Sequence, residues 1–168
     1  EEYENEPYKT PVVRPSEEVI TERIPPRIEI RNGADIEMPH IMLLMDDKNK
    51  TVIEPVWQKK EFFPKVYDFE LMMNGGRITG YFINNKETEH EIMQALAALP
   101  LKDGMRFCVG DGNHSLATAK AVWEQAKERL TPEQRAESPL RYVLCELLNI
   151  YDDGLTIKPI HRTISGLN

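Results

Sequence analysis

The sequence predicts an α+β fold: a curved, largely antiparallel mixed sheet with helices packed on it. Two observations carry this. The first half holds short apolar runs broken by Asn-Gly turn chemistry, and the second half repeats apolar residues at helical spacing. Residues 1–27 carry five of the twelve prolines and many charges, and read as an extended Pro-rich arm, because Pro25-Pro26 cannot donate ladder hydrogen bonds. The arm is followed by a single α+β domain over residues 28–168.

A short strand is expected in RIEIR (27–31), before the Asn32-Gly33 turn. IMLLM (41–45) and TVIEPVW (51–57) are two further strands of suitable length, with DDKNK as the hairpin loop between them and Pro55 at an edge or bulge. VYDFELMM alternates, placing Tyr67, Phe69 and Leu71 on one face. Asn74-Gly75-Gly76 turns the chain and RITGYFI returns it. Thr88 and Glu91 form a capping box for a helix carrying Ile92, Leu96 and Leu99, which Pro100 stops. RFCV is a short strand. A helix then runs from Ser115 to Leu130, and Thr131-Pro132 caps a third, short one. RYVLCELLNI and LTIKPIHRTI close the chain as strands around the turn Tyr151–Gly154.

Composition excludes some functions. The formal charge is −7, so the surface on average repels nucleic acid and acidic membranes, and there is no broad phosphate-backbone footprint. No apolar stretch is long enough to span a membrane and no secretory signal is visible. Cys108 and Cys145 sit in apolar runs without CxxC spacing and read as buried, reduced thiols, which suits the cytoplasm. The chain starts in a charged run without Met and is expected to be a fragment of a longer protein.

The chemistry concentrates in Gly110-Asp111-Gly112-Asn113-His114-Ser115, at a strand-to-helix junction. The first amides of a helix lack intrahelical acceptors, and its dipole adds positive charge there. Gly110 and Gly112 let the backbone approach a ligand, and Asn113, His114 and Ser115 carry donors suited to phosphate oxygens. Asp111 repels an anion unless it holds Mg²⁺, takes a proton or binds a hydroxyl. The same residues also suit a local role, with Asn113 or Ser115 capping the helix and Asp111 fixing the turn. The string is neither a Walker loop nor a complete dinucleotide fingerprint. A second cluster, Lys158-Pro159-Ile160-His161-Arg162, offers a guanidinium fork and an imidazole, or simply an edge strand with a salt-bridged Arg. His40 reads as a strand-start histidine, His90 as solvent-facing, and Asp46 and Asp47 as turn acids.

At GDGNHSLATA and PIHRTI the sequence resembles a bacterial and archaeal group, domain-of-unknown-function family 1015. Members of that group carry a DGHHRYEAA-like loop and helix and a distal Pro-x-His-Arg. PHIMLLMDD and YDFELMMNGG are family-like too. The loop is in turn similar to the signature of the ParB/sulfiredoxin superfamily, several of whose members bind nucleotide phosphates at this turn. The resemblance maps Asp111, Gly112, Asn113 and His114 onto that turn and His161 and Arg162 onto the distal His-Arg; with Gly110 and Ser115 from the chemistry of the loop itself, the expected phosphate-binding set is Gly110, Gly112, Asn113, Ser115, His161 and Arg162, with Asp111 and His114 as catalytic groups and Asp111 as a candidate Mg²⁺ ligand. It implies a nucleotide-dependent small-molecule phosphotransferase, or a non-catalytic nucleotide- or anion-binding regulatory module. Two departures matter. Ser115 replaces the usual Arg, removing a phosphate-binding charge. Asn113 stands where sulfiredoxin has its catalytic Cys, which excludes sulfinic-acid repair.

Overall fold

The computed structural model describes residues 12–156, 158 and 163–166. Its strands are β1 (Val13–Pro15), β2 (Met42–Met45), β3 (Lys65–Glu70), β4 (Arg77–Tyr81), β5 (Phe107–Asp111) and β6 (Glu146–Asn149). The α-helices are α1 (Ile24–Arg31), α2 (Ile53–Gln58), α3 (Lys86–Ala98), α4 (Asn113–Lys127) and α5 (Pro132–Glu137). Four strands form one sheet in the order β1-β5-β2-β6, and β3 and β4 form a separate hairpin. This is a mixed α+β architecture. The sheet is less antiparallel than expected: β1–β5 and β2–β6 pair parallel, while β5–β2 and β3–β4 pair antiparallel.

Register aligns the core. Val13 pairs with Phe107, Phe107 with Met45 and Met45 with Asn149, so one row of side chains crosses all four strands. Every member of the row is buried. Val109 lies two residues along β5 on the same face and is fully buried. Leu116 and Ala117 of α4, Leu99 and Val52 join the same apolar cluster. Burying each of the Val, Leu, Met and Phe side chains among them stabilises the fold by about 1.5–3 kcal/mol.

Several sequence expectations change. Within the expected arm, Val13–Pro15 is a core strand, Val19 is buried, and Pro25-Pro26 lie in the first turn of α1 rather than in a strand-breaking linker. A missing N–H is harmless in a first turn, so prolines that forbid a strand still permit this helix. RIEIR is therefore helical. TVIEPVW is also helical, with Pro55 again in a first turn. The cause lies at Asp47, which is 3% exposed. Its Oδ2 accepts from the N–H groups of Thr51 (2.6 Å) and Val52 (2.9 Å), and its Oδ1 accepts from Thr51 Oγ1. DDKNK thus leads into α2 rather than forming a hairpin loop. The α3 cap is Asn85, whose Oδ1 accepts from Thr88 N–H at 2.7 Å, not a Thr88–Glu91 box. Thr131-Pro132 starts α5 as expected, and Thr131 forms a capping box there with Gln134. The expected RYVLCELLNI strand is confined to β6, and of LTIKPIHRTI the described residues lie in no strand.

Asn149, 2% exposed, completes the Asp47 network: its Nδ2 donates to Asp47 O at 2.9 Å, and its Oδ1 accepts from Asp47 N–H at 3.3 Å. Strand β3 of the hairpin lies outside this core. Every residue of β3 is exposed. Its polar face is held by Asp68, which accepts from Arg77 Nε (2.7 Å), Lys65 Nζ (3.0 Å) and Thr79 Oγ1 (3.1 Å). The Arg77 guanidinium, then the Lys65 ammonium, hold the Asp68 carboxyl well below the ordinary aspartate range.

Asp47→Ala is expected to lower stability by about 2–4 kcal/mol, because it leaves buried N–H groups without acceptors. Asp47→Asn, which retains a carbonyl acceptor, should cost less. Urea unfolding midpoints of the two variants check this. For Asp68 the folded pKa is depressed, so its contribution is present above the ordinary aspartate pKa of ~3.9 and is lost as pH falls through the lowered value. A carboxyl-carbon NMR titration should show Asp68 titrating below that ordinary value, and Arg77→Gln should move its midpoint upward.

Candidate functional site

Topology gathers four segments at one end of the four-stranded sheet. Parallel β1 and β5 leave the sheet there, and β2 and β6, which run the other way, enter it there. Ser16–Ile20, His40, the β5–α4 turn and Glu146 therefore meet.

The turn is built on Gly112, the residue preceding α4, at φ +82°. A Cβ there would fall on His40 O and lie 2.9 Å from Ile41 Cα. At Gly110 a Cβ would come within 2.9 Å of Leu44 Cδ1. Both glycines thus admit close packing of the protein itself, and the space beside them is filled by β2 and its entry rather than left for a ligand.

Asn113 is 2% exposed, and both ends of its amide are engaged. Its Oδ1 accepts from Ser16 N–H at 3.2 Å, and its Nδ2 donates to Ser16 Oγ at 3.2 Å. His114 Nε2 accepts from Ile20 N–H at 3.1 Å, which leaves the ring proton on Nδ1, 3.8 Å from Glu17 Oε1. These two side chains clasp the segment after β1 onto the first turn of α4. The Ser115 hydroxyl has no partner among the described residues, and no side chain caps the helix. Of the first-turn amides, Leu116 N–H reaches Gly112 O at 3.0 Å, whereas those of residues 113–115 have no acceptor among the described residues.

Asp111 sits on the exposed rim. Its Oδ1 accepts from Gly112 N–H at 2.7 Å, the local turn-fixing bond foreseen for an acid here. Its Oδ2 lies 3.7 Å from His40 Nδ1, and the other ring nitrogen of His40 lies 3.1 Å from Glu146 Oε2. His40 thus bridges two carboxylates. From the sequence alone His40 reads as a strand-start histidine and nothing marks Glu146, because only the register of β2 against β5 and β6 makes them neighbours. His161 and Arg162 lie outside the described residues.

No group of three or more His, Cys, Asp or Glu among the described residues is arranged to hold a metal. Both cysteines are free, and burial pushes their thiols up, away from the nucleophilic thiolate. Among the described residues no helix is long and apolar enough to cross a membrane.

Gly112→Ala should destabilise the fold by about 3 kcal/mol or more, combining left-handed backbone strain with a collision against main chain. Gly110→Ala should cost less, since only the flexible Leu44 side chain must move. Thermal melts of the two variants make the comparison.

No curated protein and no solved structure matches the chain. The model of one family, described as protein of unknown function (DUF1015), matches residues 2–168. With nearly its whole length covered by that pattern, the chain belongs to the DUF1015 family.

Proposed function

We propose that the chain is a binding module for a small phosphorylated ligand or nucleotide, which docks at the N-terminal turn of α4. The observation that carries this reading is the set of main-chain N–H groups of residues 113–115. They have no acceptor among the described residues, at the positive end of a 15-residue helix that no side chain caps. Ser115 Oγ adds a hydroxyl donor on the same turn. The strand–GDGNHS–helix order also supports the ParB/sulfiredoxin-like likeness, which remains part of this proposal.

The module reading is preferred to a phosphotransferase because the groups assigned to transfer are already engaged. Asn113 holds Ser16, and His114 uses Nε2 to hold Ile20. With Ser115 in the place of Arg, the turn supplies dipoles but no cation. One observation favours chemistry instead: His40, Asp111 and Glu146 put an imidazole and two carboxylates on the rim of the same turn, where they would serve as acid and base.

Calorimetry with ATP, ADP and CTP, with and without Mg²⁺, tests the proposal. Heat of binding from at least one nucleotide, with no product by phosphorus NMR, is expected; no heat from any of them defeats it, and turnover abolished by Asp111→Asn or His40→Gln would establish the phosphotransferase. In the absence of Mg²⁺, Asp111→Asn should tighten anion binding roughly two- to five-fold by removing a like charge beside the helix terminus.

A further inference from the structure

A second concavity lies away from the α4 turn, where α2, α3, β4 and β6 come together. It is an open hollow of about 270 Å³, and its walls include Val56, Phe63, Ile92 and Leu147. That is just below the ~300–1,000 Å³ typical of pockets for drug-sized ligands, so its occupant is small.

Its polar features are few. Trp57 and Tyr81 meet edge to face with ring centroids 5.9 Å apart, and Lys60 Nζ lies 3.8 Å from the Trp57 ring centroid. Thr79 also lines the cavity, but its hydroxyl is committed to Asp68. Lys60 Nζ and the Tyr81 hydroxyl make no hydrogen bond or ion pair among the described residues. The neighbouring Lys59, by contrast, pairs with Glu91 at 2.7 Å. In a chain where 28 acidic residues outnumber 21 basic ones, this ammonium on an aromatic face beside an apolar cavity is, among the described residues, a cation without an anion.

We propose that this cavity binds a small apolar monocarboxylate, with its hydrocarbon part against Val56, Phe63, Ile92 and Leu147 and its carboxylate at Lys60 Nζ and Tyr81 Oη. Complementary charge selects the head group, and the size of the cavity selects a short or medium chain. The proposal is independent of the phosphate reading, since no residue of the α4 turn lines this cavity.

The test is a titration of the whole chain with sodium octanoate, followed by the methyl NMR signals of Val56, Ile92 and Leu147, with 1-octanol as the uncharged control. Saturable shifts at those methyls are expected, with octanoate binding about ten-fold more tightly than octanol. Lys60→Gln should abolish the preference while octanol still binds, which shows that the variant remains folded. The proposal is overturned if octanoate gives no saturable shift at millimolar concentration, if the two ligands bind equally, or if Lys60→Gln leaves the preference intact. It is also overturned if the same methyl signals shift with protein concentration in the absence of ligand, which would make a second copy of the chain the occupant.

Discussion

The amide of Asn113 is the constraint on which the site end of this protein depends. It fastens the segment leaving β1 to the first turn of the helix that follows β5, with one carbonyl and one amino group matched to one backbone N–H and one hydroxyl. Because the group is buried, losing either bond would leave a polar atom unpaired in a poorly solvated place. His114 repeats the arrangement one residue on, against Ile20. A chain segment rich in proline and charge is thereby made part of the core, with Val13 and Val19 beneath it.

This accounts for the polar crowding at GDGNHS in terms of two tasks. Asn113 and His114 point into the protein and hold its parts together. Asp111 is exposed at the rim, and the Ser115 hydroxyl and the main-chain N–H groups of residues 113–115 have no partner among the described residues. The glycines belong to the first task, since the room they create is taken up by Leu44 and by the chain at His40–Ile41. The acidic rim of Asp111 and Glu146, spanned by His40, sets the electrostatic character of the approach to the helix terminus.

Much of this was legible in the sequence, and the failures have definite physical causes. β2, the β3–β4 hairpin, β5 and the helix after it follow from apolar runs and turn chemistry that act locally. α1 and α2 were misread as strands because IEI and TVI favour extended chain, while the deciding features were prolines suited to a first turn and a buried carboxylate gathering two amides. The parallel pairings were not legible, because they join segments distant in sequence, such as Val13 with Phe107. The importance of the 110–115 turn could be seen from its composition. The direction in which each of its side chains points could not, because that depends on Ser16 and Ile20, roughly a hundred residues away.

The hairpin shows a different consequence of the same division of labour. Met72 and Met73 at its tip are 85% and 94% exposed, and Tyr67 and Phe69 on one face are about half exposed. Its strands are joined to each other by ladder bonds and by the Asp68 cluster, and β4 meets α2 through the Tyr81–Trp57 ring contact. Sequence change at its exposed tip is only weakly coupled to folding of the sheet. Oxidation of the tip methionines to sulfoxides would alter the wettability of this projection while the four-stranded sheet stayed intact.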